Sequence, residues 1–503
     1  MVIKINNKKQ ELVARCRLLF KSIFILLLMF FISQHAIAQR FNILDYGAVN
    51  DTSRLSTVAI NKAVQACFKA GGGTVVIPPG NFKSGTITLK DNVELSLERG
   101  AVLYGSTNHQ DFPRQQQPKY RSQKDPGGWY ALIYAEGADN IGISGFGTIN
   151  GQGAKQFSRY SPSQHVIDDQ DGRPRNILFI SCKNISVQDI TMQNSGVWNQ
   201  HYLNCEDVMV NNIRVYNHSN KNNDGIDIDG CRRFVLSNSI LDSDDDCITL
   251  KSTGAAPCED ITINNCIASS FCNAIKCGTE STGGFKNIVI SNCVVKPSRC
   301  LTVPVFKTPR IGQTGIALEI VDGGVMDGVT VSNIVIEGTE CPIFVRLGNR
   351  ARKHIKEAPE PPFGKMRNIS ITNVTAYNTG NFCSSITGVP GVKIESIELS
   401  NIRLINKGGL KEGEYRSDLT KVTEKEKDYP DPTEWGNLPS YGLFIRHVND
   451  ISLSNITLGS LNKDIRVPIL ADDADHLFIS NLKAEAGVEK QVQLNNVKSY
   501  KRL

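Results

Sequence analysis

Short runs in which every second residue is apolar recur along the chain, and most of them close on an asparagine. ITINNC (Ile261 to Cys266), IVISNC (Ile288 to Cys293), VTVSNI (Val329 to Ile334) and ISITNV (Ile369 to Val374) share one form, as do IELSNI (Ile397 to Ile402), ISLSNI (Ile451 to Ile456) and LFISNL (Leu477 to Leu482). VMVNNI (Val208 to Ile213), FVLSNS (Phe234 to Ser239) and a degenerate VQDI (Val187 to Ile190) precede them. The repeated asparagines stand at 212, 238, 265, 292, 333, 373, 401, 455 and 481, mostly 26 to 28 residues apart. A fixed period of this size marks a solenoid, in which each unit buries its apolar side only against its neighbours. The units alternate with period two, are rich in β-branched residues and lack helical periodicity, so they predict strands. An all-β, single-domain, right-handed parallel β-helix over residues 39–503 follows, with ten coils of about 26 residues. A β-propeller fits less well, because a blade needs four strands in roughly 40–50 residues. Each repeated Asn is expected at a bend, tolerating left-handed backbone geometry and bonding nearby backbone groups.

Cysteines follow the same period. Cys182, Cys205, Cys231 and Cys258 each precede the first apolar residue of their repeat by three, and Cys266 and Cys293 each follow the repeated Asn. Stacked on successive coils they read best as small apolar fillers, although export would also permit disulfides between rungs. Helical spacing appears in Ser56 to Gly73, through Val58, Ile60, Ala63, Val64 and Cys67, between a capping Ser or Thr and a Gly run. This predicts a helix plugging the N-terminal end of the solenoid. The charged, Gly- and Pro-containing stretch Asn406 to Glu434 predicts a long loop between late coils, placed to block one end of a cleft.

With 40% hydrophobic and 21% charged residues the chain is a globular one, not a disordered one. Of the formal charge of +6, +5 comes from Lys4, Lys8, Lys9, Arg15, Arg17 and Lys21 against Glu11. The remaining body is close to neutral and gives no electrostatic reason to expect a nucleic-acid partner. The basic stretch precedes the apolar run Ile23 to Ile32 and the small-residue site Ala36-Ile37-Ala38, the order of a secretory signal peptide over residues 1–38. The apolar run is too short to span a bilayer. A monomer that is exported to the periplasm or beyond, with no integral membrane segment after cleavage, is therefore expected.

Acidic residues concentrate in two places. NNDGIDIDG (Asn222 to Gly230) and SDDDCITLKS (Ser243 to Ser252) hold Asp224, Asp227, Asp245 and Asp246, and Asp224 lies 21 and 22 residues before Asp245 and Asp246. That separation is close to one coil, so the carboxylates should converge. Crowded carboxyls raise one another's pKa, which suits a shared proton, and glycoside hydrolysis needs one protonated and one ionised carboxyl. Turn formation and Ca²⁺ binding are the competing uses of such residues.

The chain resembles glycoside hydrolase family 28, the polygalacturonase-like, pectin-degrading enzymes on a parallel β-helix. FNILDYGAVND (Phe41 to Asp51), GGGTVVIPPGNF (Gly71 to Phe82) and GFGTINGQG (Gly145 to Gly153) carry the early part of the likeness. NNDGIDIDG and DDDC resemble the family's NTDGxD and QDDC motifs, and YPDPTEWGNLPSYGLFIRHV (Tyr429 to Val448) is similar to a segment of bacterial members. The resemblance implies an inverting hydrolase of α-glycosidic bonds in pectic polysaccharide or oligosaccharides, needing no cofactor and no metal. It gives Asp245 the general-acid role, Asp224 and Asp246 the activation of water, and Asp227 a supporting one. Inversion would set acid and base about 6.5–9.5 Å apart.

Two motifs depart from the family. Cys272 and Asn273 stand where its His is expected, and Ala317 and Glu319 replace the Arg and Lys that read the galacturonate carboxylate. Lys251 and Lys276, 25 residues apart and thus one coil apart, are the candidate substitutes for positive charge. Asn273, Glu319 and His201 complete the candidate substrate-binding set, with Glu319 suited to neutral sugar hydroxyls, including those of a rhamnogalacturonan. Trp198, Asn199 and His201 fall one coil before Asp224 and are expected to shape a neighbouring subsite. Two other functions remain open on sequence: a Ca²⁺-dependent lyase of the pectate-lyase type and a non-catalytic carbohydrate-binding β-helix.

Overall fold

The computed structural model describes residues 13–22, 39–125, 129–153, 173–300, 311–484 and 490–503. The apolar run Ile23 to Ile32 and the Ala36-Ile37-Ala38 site lie outside the described residues, as do Lys4, Lys8 and Lys9; residues 13–22 form an exposed helix. From Arg40 onwards strand follows strand, and the ladders between them are parallel. Parallel neighbours joined by one turn of chain wind into a right-handed parallel β-helix.

One inward column shows why these residues coil. Val75, Leu95, Ile143, Val187, Val210, Leu236, Ile263, Ile290, Val331, Ile371, Leu399, Leu453 and Ile479 stand in register, rung on rung, each fully buried. The column has thirteen rungs, more than the ten coils expected from the intact repeats. The early rungs Val75, Leu95 and Ile143 lack the Asn signature, and the Val187 rung carries Asp189 in its place.

All nine repeated asparagines adopt φ between 50° and 56°. Their side chains differ from expectation: instead of bonding backbone most bond one another, while Asn212 donates to Asp189 and Asn238 to Asn211. Asn481 Nδ2 donates to Asn455 Oδ1 (2.8 Å), Asn455 to Asn401 (2.9 Å), Asn401 to Asn373 (2.9 Å) and Asn373 to Asn333 (3.0 Å). A stacked amide donates to one neighbour and accepts from the other, so the left-handed bend and the ladder support each other. The Cys182, Cys205, Cys231 and Cys258 column is buried, and Cys231 and Cys258 donate to the carbonyls of Tyr202 and Ile228 at 3.2 Å. No disulfide joins the rungs of this column.

The N-terminal plug is a helix over Thr57–Lys69 that buries Ala59, Ile60, Ala63, Val64 and Cys67. Val58 was placed on that face by the sequence pattern, yet it is 68% exposed. Ser56 makes no side-chain cap. Its Oγ accepts from the Val49 amide, and Thr57 Oγ1 instead takes the Gly85 amide at 2.7 Å. The late loop begins after Gly408, not at Asn406, because Asn406 belongs to the strand Ile394–Gly408, where its amide accepts from Thr379 Oγ1. A short helix, Pro432–Trp435, follows, and Trp435 packs against Phe344. This strap crosses the outer face of the sheet that carries the acidic residues.

Candidate active site

Four successive strands make the floor: Ile226–Asp229, Ile248–Ser252, Asn273–Ser281 and Gly312–Ile320. Alternation sends Ile226, Ile228, Ile248, Leu250, Ile275, Cys277, Ile316 and Leu318 into the core. Asp227, Asp229, Thr249, Lys251, Lys276, Ala317 and Glu319 consequently project from the opposite face. Asp224 and Asp246 stand just before their strands at the same level, since the Gly225 amide donates to the Asp246 carbonyl (2.9 Å) and Ile226 pairs with Ile248.

Two ammonium groups thread between the acids. Lys251 Nζ lies 3.6 Å from Asp224, 3.5 Å from Asp227 and 3.5 Å from Glu280. Lys276 Nζ lies 3.2 Å from Asp246 and 3.8 Å from Glu319, and donates to Tyr429 Oη on the strap at 3.1 Å. Asn273 Nδ2 donates to the other Asp246 oxygen at 2.6 Å. Among the described residues no cation stands at such range from Asp245; its oxygens accept from Asn222 Nδ2 (3.2 Å) and the Asp246 amide (2.9 Å), and it is only half-buried.

These surroundings separate the three carboxyls. Burial raises Asp245, and the neighbouring Asp246 charge raises it further. Burial also raises Asp224, well above the usual range, with Asp227 and Asp245 adding to it. Burial acts on Asp246 in the same direction, but Lys276, Lys251 and the Asn273 hydrogen bond outweigh it and hold that carboxyl below its ordinary value. Burial lifts Asp227 and Glu319 each to about 7 against the pull of their lysines. One carboxyl of the group is thereby kept ionised beside others that hold protons readily, the equipment for acid and base on two sides of one bond.

A sequence profile described as "Glycosyl hydrolases family 28" matches residues 67–414. The chain belongs to that family. As a family 28 protein it is a glycoside hydrolase. It is 25% identical over 384 residues to a "Probable polygalacturonase" of Vitis vinifera, covering 72% of this chain and 74% of that protein. Among solved structures it is similar to an exopolygalacturonase of Thermotoga maritima, with a TM-score of 0.60 at 21% identity over 73% of this chain and 87% of the other. A family 28 exopolygalacturonase of Yersinia enterocolitica gives a TM-score of 0.59 at 18% identity, covering 93% and 78%. These two likenesses show the fold.

Within this family 28 chain the structure gathers Asp224, Asp245, Asp246, Lys251, Lys276, Asn273 and Glu319 around one point. Lys251 and Lys276 do not stack as their spacing suggested. Thr249 pairs with Lys276, and an irregularity between Leu250 and Ser252 shifts the register beyond. His201 departs further. It is fully buried, its Nε2 meets Asp229 at 3.0 Å, and burial drives its pKa down to about 4. Wedged between Trp129 and Trp198, it supports the cleft wall and does not line it. Sequence reasoning missed Glu280 and Tyr429 as members of the cluster. Glu280 follows Asn273 and Lys276 on the same strand, and Tyr429 opens the segment Tyr429 to Val448 that carries part of the family likeness, so both lay close to recognised positions. Because lysines already lie at 3.2 to 3.6 Å from Asp224, Asp227 and Asp246, the cluster is poorly suited to a divalent cation, which argues against the lyase reading. Among the described residues no group of three or more His, Cys, Asp or Glu is arranged to hold a metal ion.

Proposed function

We propose that this protein hydrolyses a pectic polysaccharide with inversion, Asp245 protonating the leaving oxygen while Asp246, assisted by Asp224, activates water. The observation that carries it is the separation of the carboxyls, with Asp246 held ionised by Lys276 and Asp245 left without a cation partner. In this reading Lys251 keeps Asp224 and Asp227 in place, and Asn273 orients Asp246.

The sugar bound on the Glu319 side of the scissile bond is neutral, as in a rhamnogalacturonan-type backbone. The support is a charge balance: Ala317 carries no charge, and Lys276 already faces both Asp246 and Glu319. A uronate placed there would meet no spare cation and would face Glu319, 1% exposed with an unpartnered oxygen that suits a hydroxyl donor. The strap, crossing the sheet beside Lys276, favours cutting near a chain end. Export as a monomer is part of the same proposal and predicts a mature N-terminus after Ala38.

The test is a product assay of the purified protein on homogalacturonan and on rhamnogalacturonan oligomers. Plain reducing ends, released faster from the mixed chain, are the expected result. An unsaturated, ultraviolet-absorbing product would refute hydrolysis, and equal or faster release from homogalacturonan would refute the neutral subsite.

A further inference from the structure

The sheet continues N-terminally from the acids past Trp198 to a concave surface that the catalytic cluster does not use. Its volume is about 450 Å³ and its lining is Arg114, Gln117, Arg121, Asp125 and Trp129. That size falls in the range of sites for small ligands. The strand Ala131–Glu136 beside Trp129 stands three rungs before Ile226–Asp229, which puts the Trp129 end of the surface about 14 Å from Asp224 along the axis, while its Arg121 end lies beside Ser122, which pairs with Gly254.

Its chemistry is that of an anion site. Arg114 is exposed, and Asp125 holds Arg121 through Nε, leaving the terminal nitrogens of that guanidinium for a ligand. A guanidinium presents parallel donors that match a carboxylate. Trp129 is 1% exposed, and its Nε1 is buried without a hydrogen-bond partner. An unpaired buried donor costs about 1–3 kcal/mol, and an acceptor oxygen seated in the cavity would remove that cost. The segment carrying the arginines is fastened to the coils: Ser122 pairs with Gly254, Tyr120 Oη accepts from the Ala256 amide (2.8 Å), and Gln123 donates to Thr282 (2.8 Å). An aromatic wall links the cavity to the acids, since Trp129 stacks on His201 at 6.5 Å, His201 meets Trp198 edge-on at 5.0 Å, and Lys251 lies 4.7 Å over Trp198.

We propose that the surface formed by Arg114, Gln117, Arg121 and Trp129 is a distal subsite that binds the carboxylate of a uronic acid unit in the same chain whose bond is cut at the acid cluster. It rests on the pectic reading above. Binding there anchors the substrate by an acidic unit, while the scissile bond is presented next to a neutral one. The gain is in affinity and depends on chain length, because a short fragment cannot reach both places.

The experiment separates binding from turnover. Rhamnogalacturonan oligosaccharides of increasing length are titrated calorimetrically into Asp245→Asn protein, with and without Arg114→Gln or Arg114→Lys. Hydrolysis of the unmodified enzyme and of the same Arg114 variants is followed in parallel on rhamnogalacturonan oligomers of increasing length. The expected result is tighter binding with length in the Asp245→Asn protein, a five- to tenfold loss on adding Arg114→Gln, and partial rescue by Arg114→Lys. Arg114→Gln should likewise raise KM for long chains by a similar factor with little change in kcat. Length-dependent binding that survives Arg114→Gln intact would overturn the subsite. Absence of hydrolysis by the unmodified enzyme would instead overturn the pectic reading, while the calorimetry still reports on Arg114.

Discussion

The two flanks of the acid cluster use the same residue type in opposite ways. On the C-terminal side every arginine near the floor is committed. Arg350 bonds Asp322 (3.0 Å), Arg352 bonds Glu280 (2.7 Å), and Arg446 bonds both Glu424 and Asp472 (2.9 Å each). Arg346, fully buried, donates to the Gly388 carbonyl (2.8 Å) and to strap carbonyls, and burial brings its pKa down to about 10. On the side that carries Trp129, Arg114 and Arg121 border an open concavity with Asp125 among them. Both flanks are rich in cations, so composition does not distinguish them. Pairing does: the strap supplies carboxylates and carbonyls that consume positive charge on its side, whereas among the described residues Asp125 is the one carboxylate lining the other concavity. A cleft built this way offers a neutral end and a cationic end.

Substitutions can break or sharpen this contrast. The largest effect is expected at the centre. Asp245→Asn should lower kcat by about 10³-fold, the usual contribution of a positioned acid. In the unmodified enzyme, activity should fall on the alkaline side as Asp245 loses its proton, above the ordinary carboxylate value of 3.8 because its pKa is raised. Lys276→Met comes next. It removes the cation that holds Asp246 ionised, so the acidic limb of the pH–rate profile should move to higher pH and kcat should drop by about 10²-fold. An acidic limb that stays in place would show that Lys276 does not set the base.

Smaller effects should sharpen the difference between the flanks. Glu319→Gln frees one contact of Lys276 for a substrate carboxylate, and should improve kcat/KM on homogalacturonan relative to the mixed chain by about fivefold, near 1 kcal/mol. The smallest change concerns the strap. Burial lowers the His447 pKa, but Glu424 and Asp473 outweigh it, so the folded value lies above 6.5. The attachment of Glu424 is therefore complete below about pH 6.5 and is lost as pH rises through the raised folded value. Hydrogen exchange of strap amides, corrected for its intrinsic pH dependence, should show protection falling by about 0.3–1 kcal/mol over that interval.

Much of this was legible in the sequence because a solenoid writes its geometry as a period. The Asn spacing gave the bends, and the interval from Asp224 to Asp246 gave their alignment across one rung. Distance along the chain was reliable only where the length of the coil was known. Lys276 pairs with Thr249, 27 residues earlier, so the 25-residue interval from Lys251 falls two short of that coil. Tyr429 reaches Lys276 from 153 residues away through the strap, a contact that no period encodes. His201, one coil before Asp224, looked like a cleft residue and does alternate outward, but the tryptophans on both sides enclose it. Period two tells which way a side chain points and says nothing about what later covers it.

The chemistry at the centre has one direct reporter, the anomeric configuration of the first product formed. Proton NMR of rhamnogalacturonan oligomers during the first minutes of reaction should show a new reducing end opposite in configuration to the bond that was cut, followed by slow mutarotation. A first product that retains the original configuration would mean that a carboxylate attacks the sugar directly, and that Asp245, Asp246 and Asp224 do not divide the work between acid and water.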